Sequence, residues 1–250
     1  MADTRFGKSM QAGQYFLTII VVFFSAIIHS TAGIGFAMLA TAVTSLYIPG
    51  PHTAGVINVC ILLMLLIVMR RFYRYISWKL LGAPAIGMVL GKVLGILLLG
   101  TMSSSIFKKV LGLILLLCAL YFFFMGDRIS IRPSRSKGLV LGIMAGFIGG
   151  LYNISGPFMA IYYFPQIRDK NAYYATLNAA FVPAVIMGCI THISLGNLTV
   201  EELPLVVACL AAVALGTVVG VKLFMHVNRN IVARCLYGYT AAMGIFLILT

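Results

Sequence analysis

The sequence is poor in charge and poorest in acid. Of 250 residues only 9% are charged, and just 5 are Asp or Glu against 18 Lys and Arg. A soluble domain carries roughly 25% charged residues, so a chain that is 62% hydrophobic cannot cover one globular core with polar surface. That excludes an ordinary soluble protein. It also removes the nucleic-acid reading that a net charge of +13 would otherwise invite. Asp3, Asp127, Asp169, Glu201 and Glu202 all fall in expected tails and loops. A carboxylate proton relay or a carboxylate-held sodium site inside the apolar segments is therefore disfavoured. Neither CxxC nor Cys/His metal spacing occurs, and Cys60, Cys118, Cys189, Cys209 and Cys235 lie scattered in apolar runs, as small fillers do. HExxH is missing too, so neither metal nor cofactor is expected, and an intramembrane enzyme is a remote reading.

What is present is length without polarity. Ten apolar segments run over about 13–29, 33–48, 53–70, 80–100, 105–125, 138–152, 155–166, 173–195, 203–225 and 230–249. Residues 13–28 have the length of a signal-peptide core, but no small-residue cleavage site follows. The segments do not alternate with period two, so a β-barrel is unsuited. The expected class is an all-α polytopic membrane protein. Helix breakers crowd two joints, His29-Ser30-Thr31-Ala32-Gly33-Ile34-Gly35 and Gly149-Gly150-Leu151-Tyr152-Asn153-Ile154-Ser155-Gly156-Pro157. The segment at 155–166 is too short to cross a bilayer.

The chain also repeats itself. Gly33-Ile34-Gly35 aligns with Asn153-Ile154-Ser155, and Val56-Ile57-Asn58 with Thr176-Leu177-Asn178. Ile76–Lys79 aligns with Leu198–Glu201, the Gly91/Gly95 pair with Gly216/Gly220, and Ile106–Lys109 with Ile231–Arg234. The order holds throughout, at an offset of about 120 residues. Residues 1–126 and 138–250 thus form two repeats of five segments, joined by a basic linker at 127–137. An odd number per repeat turns the second copy upside down. The charges agree. Arg70, Arg71, Arg74 and Lys79 follow the third segment, whereas Glu201 and Glu202 follow the eighth. Basic loops mark the cytoplasmic side. On that count Arg128, Arg132, Arg135, Lys137, Arg168, Lys170 and Arg229 are cytoplasmic and both termini lie outside, with Arg5 and Lys8 as exceptions. Eight spans with both termini inside would fit the charges less well. Short re-entrant segments and full crossings give the same parity at the two joints.

Broken helices expose backbone N–H and C=O groups, which lipid tolerates only where they line a cavity. Two such breaks in matching places mark a midplane binding site, and half-helix N-termini favour an anion. The candidate substrate-binding residues are His29, Ser30, Thr31, Gly33, Gly35, Asn58, Lys92, Gly149, Gly150, Asn153, Ser155, Gly156 and Asn178. Gly91, Gly95, Gly216 and Gly220 read instead as helix-packing positions. Asn58 and Asn178 either bond the ligand or tie a broken helix to its neighbour. Lys92 lies deep in its segment and either faces the anion path or snorkels outward. His29 couples protons, binds anion when charged, or hydrogen-bonds the broken backbone. Lys108, Lys109 and Lys222 sit near segment ends, as snorkelling anchors do.

The two joints resemble the TauE/SafE sulfite exporter family, also called TSUP, whose members carry a G-x-x-G-x-G-G-G type stretch early and a G-G-x-x-G-x-G-G-P stretch midway. The resemblance extends over nearly the whole chain. It implies a transporter of small sulfur-containing or organic anions such as sulfite or sulfonates. Phe36 stands where the family has glycine, as do Asn153 and Ser155, so the particular anion and the direction of transport do not carry over. The expectation is a multi-pass inner-membrane transporter that alternates access between its two repeats. An anion channel with the same central site is the alternative. The partners are the small anion and the lipid bilayer, with no nucleic acid.

Overall fold

A computed structural model describes residues 12–124, 134–224 and 229–249. These form ten α-helices, one for each apolar segment. The first five are α1 (Ala12–Ala32), α2 (Phe36–Thr44), α3 (Gly50–Phe72), α4 (Gly82–Leu99) and α5 (Ser104–Phe124). The second five are α6 (Arg135–Tyr152), α7 (Gly156–Tyr163), α8 (Lys170–Ser194), α9 (Leu203–Leu223) and α10 (Arg229–Leu249). No strand occurs among the described residues. Six helices (α1, α3, α4, α5, α8 and α9) are long and apolar enough to cross a membrane. Their outer faces carry Leu90, Leu94, Leu117, Ile190 and Leu215, each about half exposed or more, as a lipid-facing surface does. The chain is an all-α polytopic membrane protein. Most of the basic linker, including Arg128 and Arg132, lies outside the described residues, as do Asp3, Arg5, Lys8 and Asp127.

Two helices are half-length. α2 has 9 residues and α7 has 8. At about 1.5 Å per residue neither reaches halfway across the roughly 30 Å of a bilayer's hydrocarbon. The second segment is thus shorter than the apolar run 33–48 suggests. Gly33 and Gly35 both have positive φ, +88° and +114°, which unwinds its start, and residues 45–48 close it in a turn. Both short helices fold back along the helix before them. Tyr47 Oη lies 2.9 Å from Thr18 Oγ1, well down α1. Tyr162 Oη lies 2.8 Å from where a Cβ on Gly138 would stand. Each joint is therefore the tip of a helical hairpin, α1–α2 and α6–α7.

The hairpins are held by close helix pairs. Along α4 and α6, Gly87, Gly91 and Gly95 meet the backbone of α6 at 139–143, 143–147 and 147–151, so the two helices run in the same direction. α1 and α9 also run together, with Gly216 against Phe23 and Gly220 against Ile27 and Ser30. A Cβ at any of these glycines would strike backbone, which is why the sequence keeps them. By contrast α3 and α8 are antiparallel: Gly55 abuts Asn197, and Phe72 meets Tyr174 edge to face at 5.1 Å. α5 and α10 meet at Gly112 and Gly244.

Charge is uneven along the bundle, although Lys108, bonded to Leu46 O, sits at the less basic end. Phe72, Tyr174 and Phe224 form one aromatic cluster, which gathers the end of α3, the start of α8 and the end of α9. Arg70, Arg71, Arg74, Lys79, Lys170 and Lys222 flank that end, and Lys170 Nζ donates to Phe224 O at 3.1 Å. At the opposite end His52 Nδ1 meets the buried Glu202 carboxylate at 2.8 Å, tying α3 to the turn before α9.

Candidate functional site

The local sequence explains both tips. Asn153 ends α6 with φ 60°, a left-handed cap that asparagine tolerates better than most residues. Pro157 then starts α7, where a missing N–H is harmless. The first tip uses Gly33 and Gly35 for the same reversal. The tips touch: a Cβ on Gly156 would lie 3.0 Å from Ile34 Cγ2.

A narrow cavity lies between them, its volume about 50 Å³. That is room for a few waters or one small ion. His29, Gly35 and Phe36 line it from the first hairpin, and Asn153, Ser155, Gly156 and Pro157 from the second. Lys92 enters from α4, Phe181, Ala184 and Val185 from α8, and Ile61 and Leu65 from α3. The N-termini of both half-helices face this space, where their partial positive ends add.

Lys92 is 2% exposed, so it does not snorkel. Its Nζ donates to Asn153 Oδ1 at 2.6 Å and to Gly149 O at 2.8 Å. Gly149 O belongs to the last turn of α6, whose dipole carries partial negative charge, so the lysine caps that end. Asn153 Nδ2 donates onward to Ala54 O at 2.9 Å. The second tip is thereby fastened to both α3 and α4. Among the described residues, Lys92 is the only lysine or arginine lining the cavity, and no carboxylate lines it.

The first tip is held without net charge. Phe36 N–H points to His29 Nδ1 at 3.4 Å, and His29 Nε2 lies 3.1 Å from Asn178 Oδ1. Asn178 Nδ2 donates to Tyr174 O. With Nδ1 accepting, the proton is assigned to Nε2, which fits a neutral ring donating to Asn178. His29 therefore satisfies one orphan N–H at the start of α2, and Asn178 orients it.

Of the candidate residues, His29, Gly35, Lys92, Asn153, Ser155 and Gly156 line the cavity. The others stand behind it. Thr31 Oγ1 donates to Ile27 O and Gly220 O, and Ser30 O accepts from Tyr174 Oη, so both residues face neighbouring helices. Gly33 packs on the Tyr174 ring and Gly150 on the α4 backbone. Gly149 contributes its carbonyl to Lys92. Asn58 donates to Val185 O at 3.0 Å and to Cys189 Sγ at 3.2 Å, joining α3 to α8. Even Ser155 turns its hydroxyl back to Ala145 O. Sequence reasoning passed over the apolar wall of Ile61, Leu65, Phe181 and Val185, and noted Phe36 only as a departure from the family's glycine. Phe181 and Val185 follow Asn178 at helical spacing, the one signal that could have found them. Among the described residues no cluster of His, Cys, Asp or Glu is suited to a metal ion.

Comparison with known proteins adds to this geometry. The family described as sulfite exporter TauE/SafE matches residues 18–247. A probable sulfite/organosulfonate exporter TauE of Cupriavidus necator is 26% identical over 159 residues, which covers 62% of the chain and 58% of the exporter. A probable membrane transporter protein of Methanocaldococcus jannaschii is 22% identical over 185 residues, or 70% of the chain and 69% of that protein. The match to the first relative thus spans less than two thirds of its length. No solved structure matches significantly.

Proposed function

The chain belongs to the sulfite exporter TauE/SafE family, and from that premise we propose that it is a membrane transporter of a small anion, sulfite or an organic sulfonate or related acid. The carrying observation is Lys92: a buried lysine lines a cavity faced by two half-helix N-termini and by no carboxylate among the described residues. Such a site favours negative charge. Of the candidate residues, those lining the cavity contact the anion, and those behind it hold the two tips or, for Asn58, join α3 to α8.

The transport cycle alternates access between two inverted repeats, 1–126 and 138–250, with 127–137 as the basic linker. Helix pairing supports this reading. α4 pairs with α6 as α9 pairs with α1, and α3 crosses its counterpart α8 antiparallel. The basic end of the bundle is cytoplasmic in an inner membrane, by the excess of Arg and Lys there, which sets both termini outside. A cavity of only about 50 Å³ favours a carrier over a continuous anion pore.

The test is a thermal-shift screen of purified protein against sulfite, methanesulfonate, carboxylates and choline, followed by flux in proteoliposomes. Anions should raise the melting temperature, and Lys92→Met should abolish the shift. Stabilisation by cations or neutral solutes alone would overturn the anion reading.

A further inference from the structure

Lys92 raises a question of charge balance. The described acids are Asp169, Glu201 and Glu202, and none lines the cavity. An ammonium ion buried without a counter-charge is costly in so apolar a setting. Yet Lys92 is well satisfied as it stands. Its Nζ has two hydrogen-bond acceptors, Gly149 O and Asn153 Oδ1. A neutral amine has two N–H groups and an ammonium has three. Two acceptors match the amine, and the remaining position on Nζ belongs to a lysine that borders the cavity.

The groups around Lys92 supply no negative charge either. α6 contributes backbone, and the second tip contributes Asn153 and Ser155. On α8, a Cβ at Gly188 would lie 2.7 Å from Lys92 Cε and 2.8 Å from Asn58 Oδ1. Cys189 follows Gly188, and His192 lies one turn further on, paired with Asn197 at 3.1 Å. His29 borders the cavity from the first hairpin and is already paired.

Resting on the anion reading above, we propose that the anion travels with one proton, carried on Lys92. The amine takes up H+ as the anion arrives, forming an N–H bond that points to it, so that an –NH3+ group and the anion face each other as a neutral pair. On release the N–H bond breaks, the proton leaves with the anion, and the amine falls back on Gly149 O and Asn153 Oδ1. The transported unit is electroneutral for a monovalent anion, so a pH gradient drives it and a membrane potential does not.

Methanesulfonate is the probe, because it stays ionised at every relevant pH and any proton that moves is held by the protein. The full chain is reconstituted in proteoliposomes that enclose a pH-sensitive dye, with the potential clamped by valinomycin and potassium. An inside-alkaline gradient should accumulate methanesulfonate and acidify the lumen by one proton per anion. A potential alone should drive nothing. Lys92→Arg keeps the charge at all pH, and should retain methanesulfonate binding, lose proton movement and become potential-sensitive. Cys189→Ala and His192→Gln should keep the coupling. Wild-type flux without protons would overturn the proposal, as would proton movement that survives in Lys92→Arg or is lost in Cys189→Ala or His192→Gln. The wild-type measurement decides by itself if the arginine variant fails to fold. If methanesulfonate neither stabilises the protein nor moves, the anion reading itself falls. If it moves alone, only the proton inference falls.

Discussion

Asn153→Asp tests the counter-charge argument most directly. It exchanges one amide for one carboxylate of the same shape, 2.6 Å from Lys92 Nζ. The carboxylate takes the place of the anion as partner of the lysine. An anion about 4 Å from a free ammonium gains about 4 kcal/mol at an effective dielectric of 20. Once the new carboxylate neutralises Lys92 that attraction is cancelled, which corresponds to about a thousandfold loss of affinity. The new ion pair roughly offsets the desolvation of the carboxylate, but the second carboxylate oxygen faces Ala54 O with no proton between them, so stability should fall by about 1–3 kcal/mol. Asn153→Gly is the control: it accepts the positive φ without strain, removes the side chain and leaves Lys92 uncancelled, so its affinity should fall less than about tenfold. Calorimetric titration with methanesulfonate gives the affinities, and melting temperatures in detergent report the fold. An aspartate variant that binds within about tenfold of the wild type would refute the assignment of Lys92 as the counter-charge.

Three further outcomes are expected. Gly146→Ala drives a Cβ into the Met88 backbone and should cost about 1–3 kcal/mol in denaturation experiments, whereas Gly82→Ala, with nothing within 4 Å, should be near neutral. His52→Ala removes the partner of Glu202 Oε1 while Thr199 N–H and Oγ1 still hold Oε2, a loss of about 1–3 kcal/mol that adding Glu202→Gln should partly restore. In a background without the five native cysteines, an impermeant thiol reagent outside intact cells should label Val200→Cys and not Arg74→Cys; labelling of both would overturn the proposed orientation.

The helices were legible because a bilayer demands long apolar runs, and each of the ten runs became one helix. The breaks were legible because glycine, asparagine and proline carry their backbone preferences locally. Pairing was less so: Gly91 and Gly216 announce close packing, but nothing local says that the first meets Ile143 and Phe147 and the second Phe23. The side-chain roles were least legible. Ser30, Thr31 and Ser155 are hydroxyl residues at a break, which suits a ligand equally well. Thr31 and Ser155 instead turn their hydroxyls to backbone carbonyls, whereas Ser30 offers its carbonyl to Tyr174 Oη and its buried hydroxyl has no partner among the described residues. In a low-dielectric interior a hydroxyl finds the nearest carbonyl first. Lys92 escaped that fate in part, since it borders the cavity as well as the two carbonyl-type oxygens it bonds.

The two tips are held differently. Hairpin α1–α2 is fixed by neutral bonds, His29 to Asn178 and Tyr174 to Ser30, and α10 packs directly on α2, with Leu236 against Gly35. Hairpin α6–α7 is fastened through a titratable group, the lysine that holds Gly149 and Asn153. Its outer flank is also looser. A cleft of about 430 Å³ separates α5 from α6 and α7, lined by Leu117, Met144, Phe147, Phe158 and Ile161, and it reaches Pro157 at the edge of the central cavity. In a cycle that swaps the packing of the two repeats, closing that cleft would bring α5 onto α7 as α10 now lies on α2. On the proposed cycle, drawing Lys92 toward an anion would loosen its hold on the carbonyl and amide of the very hairpin that has room to move. Binding and movement would then be coupled at one nitrogen atom, and the tip that responds would be the one the sequence made more polar.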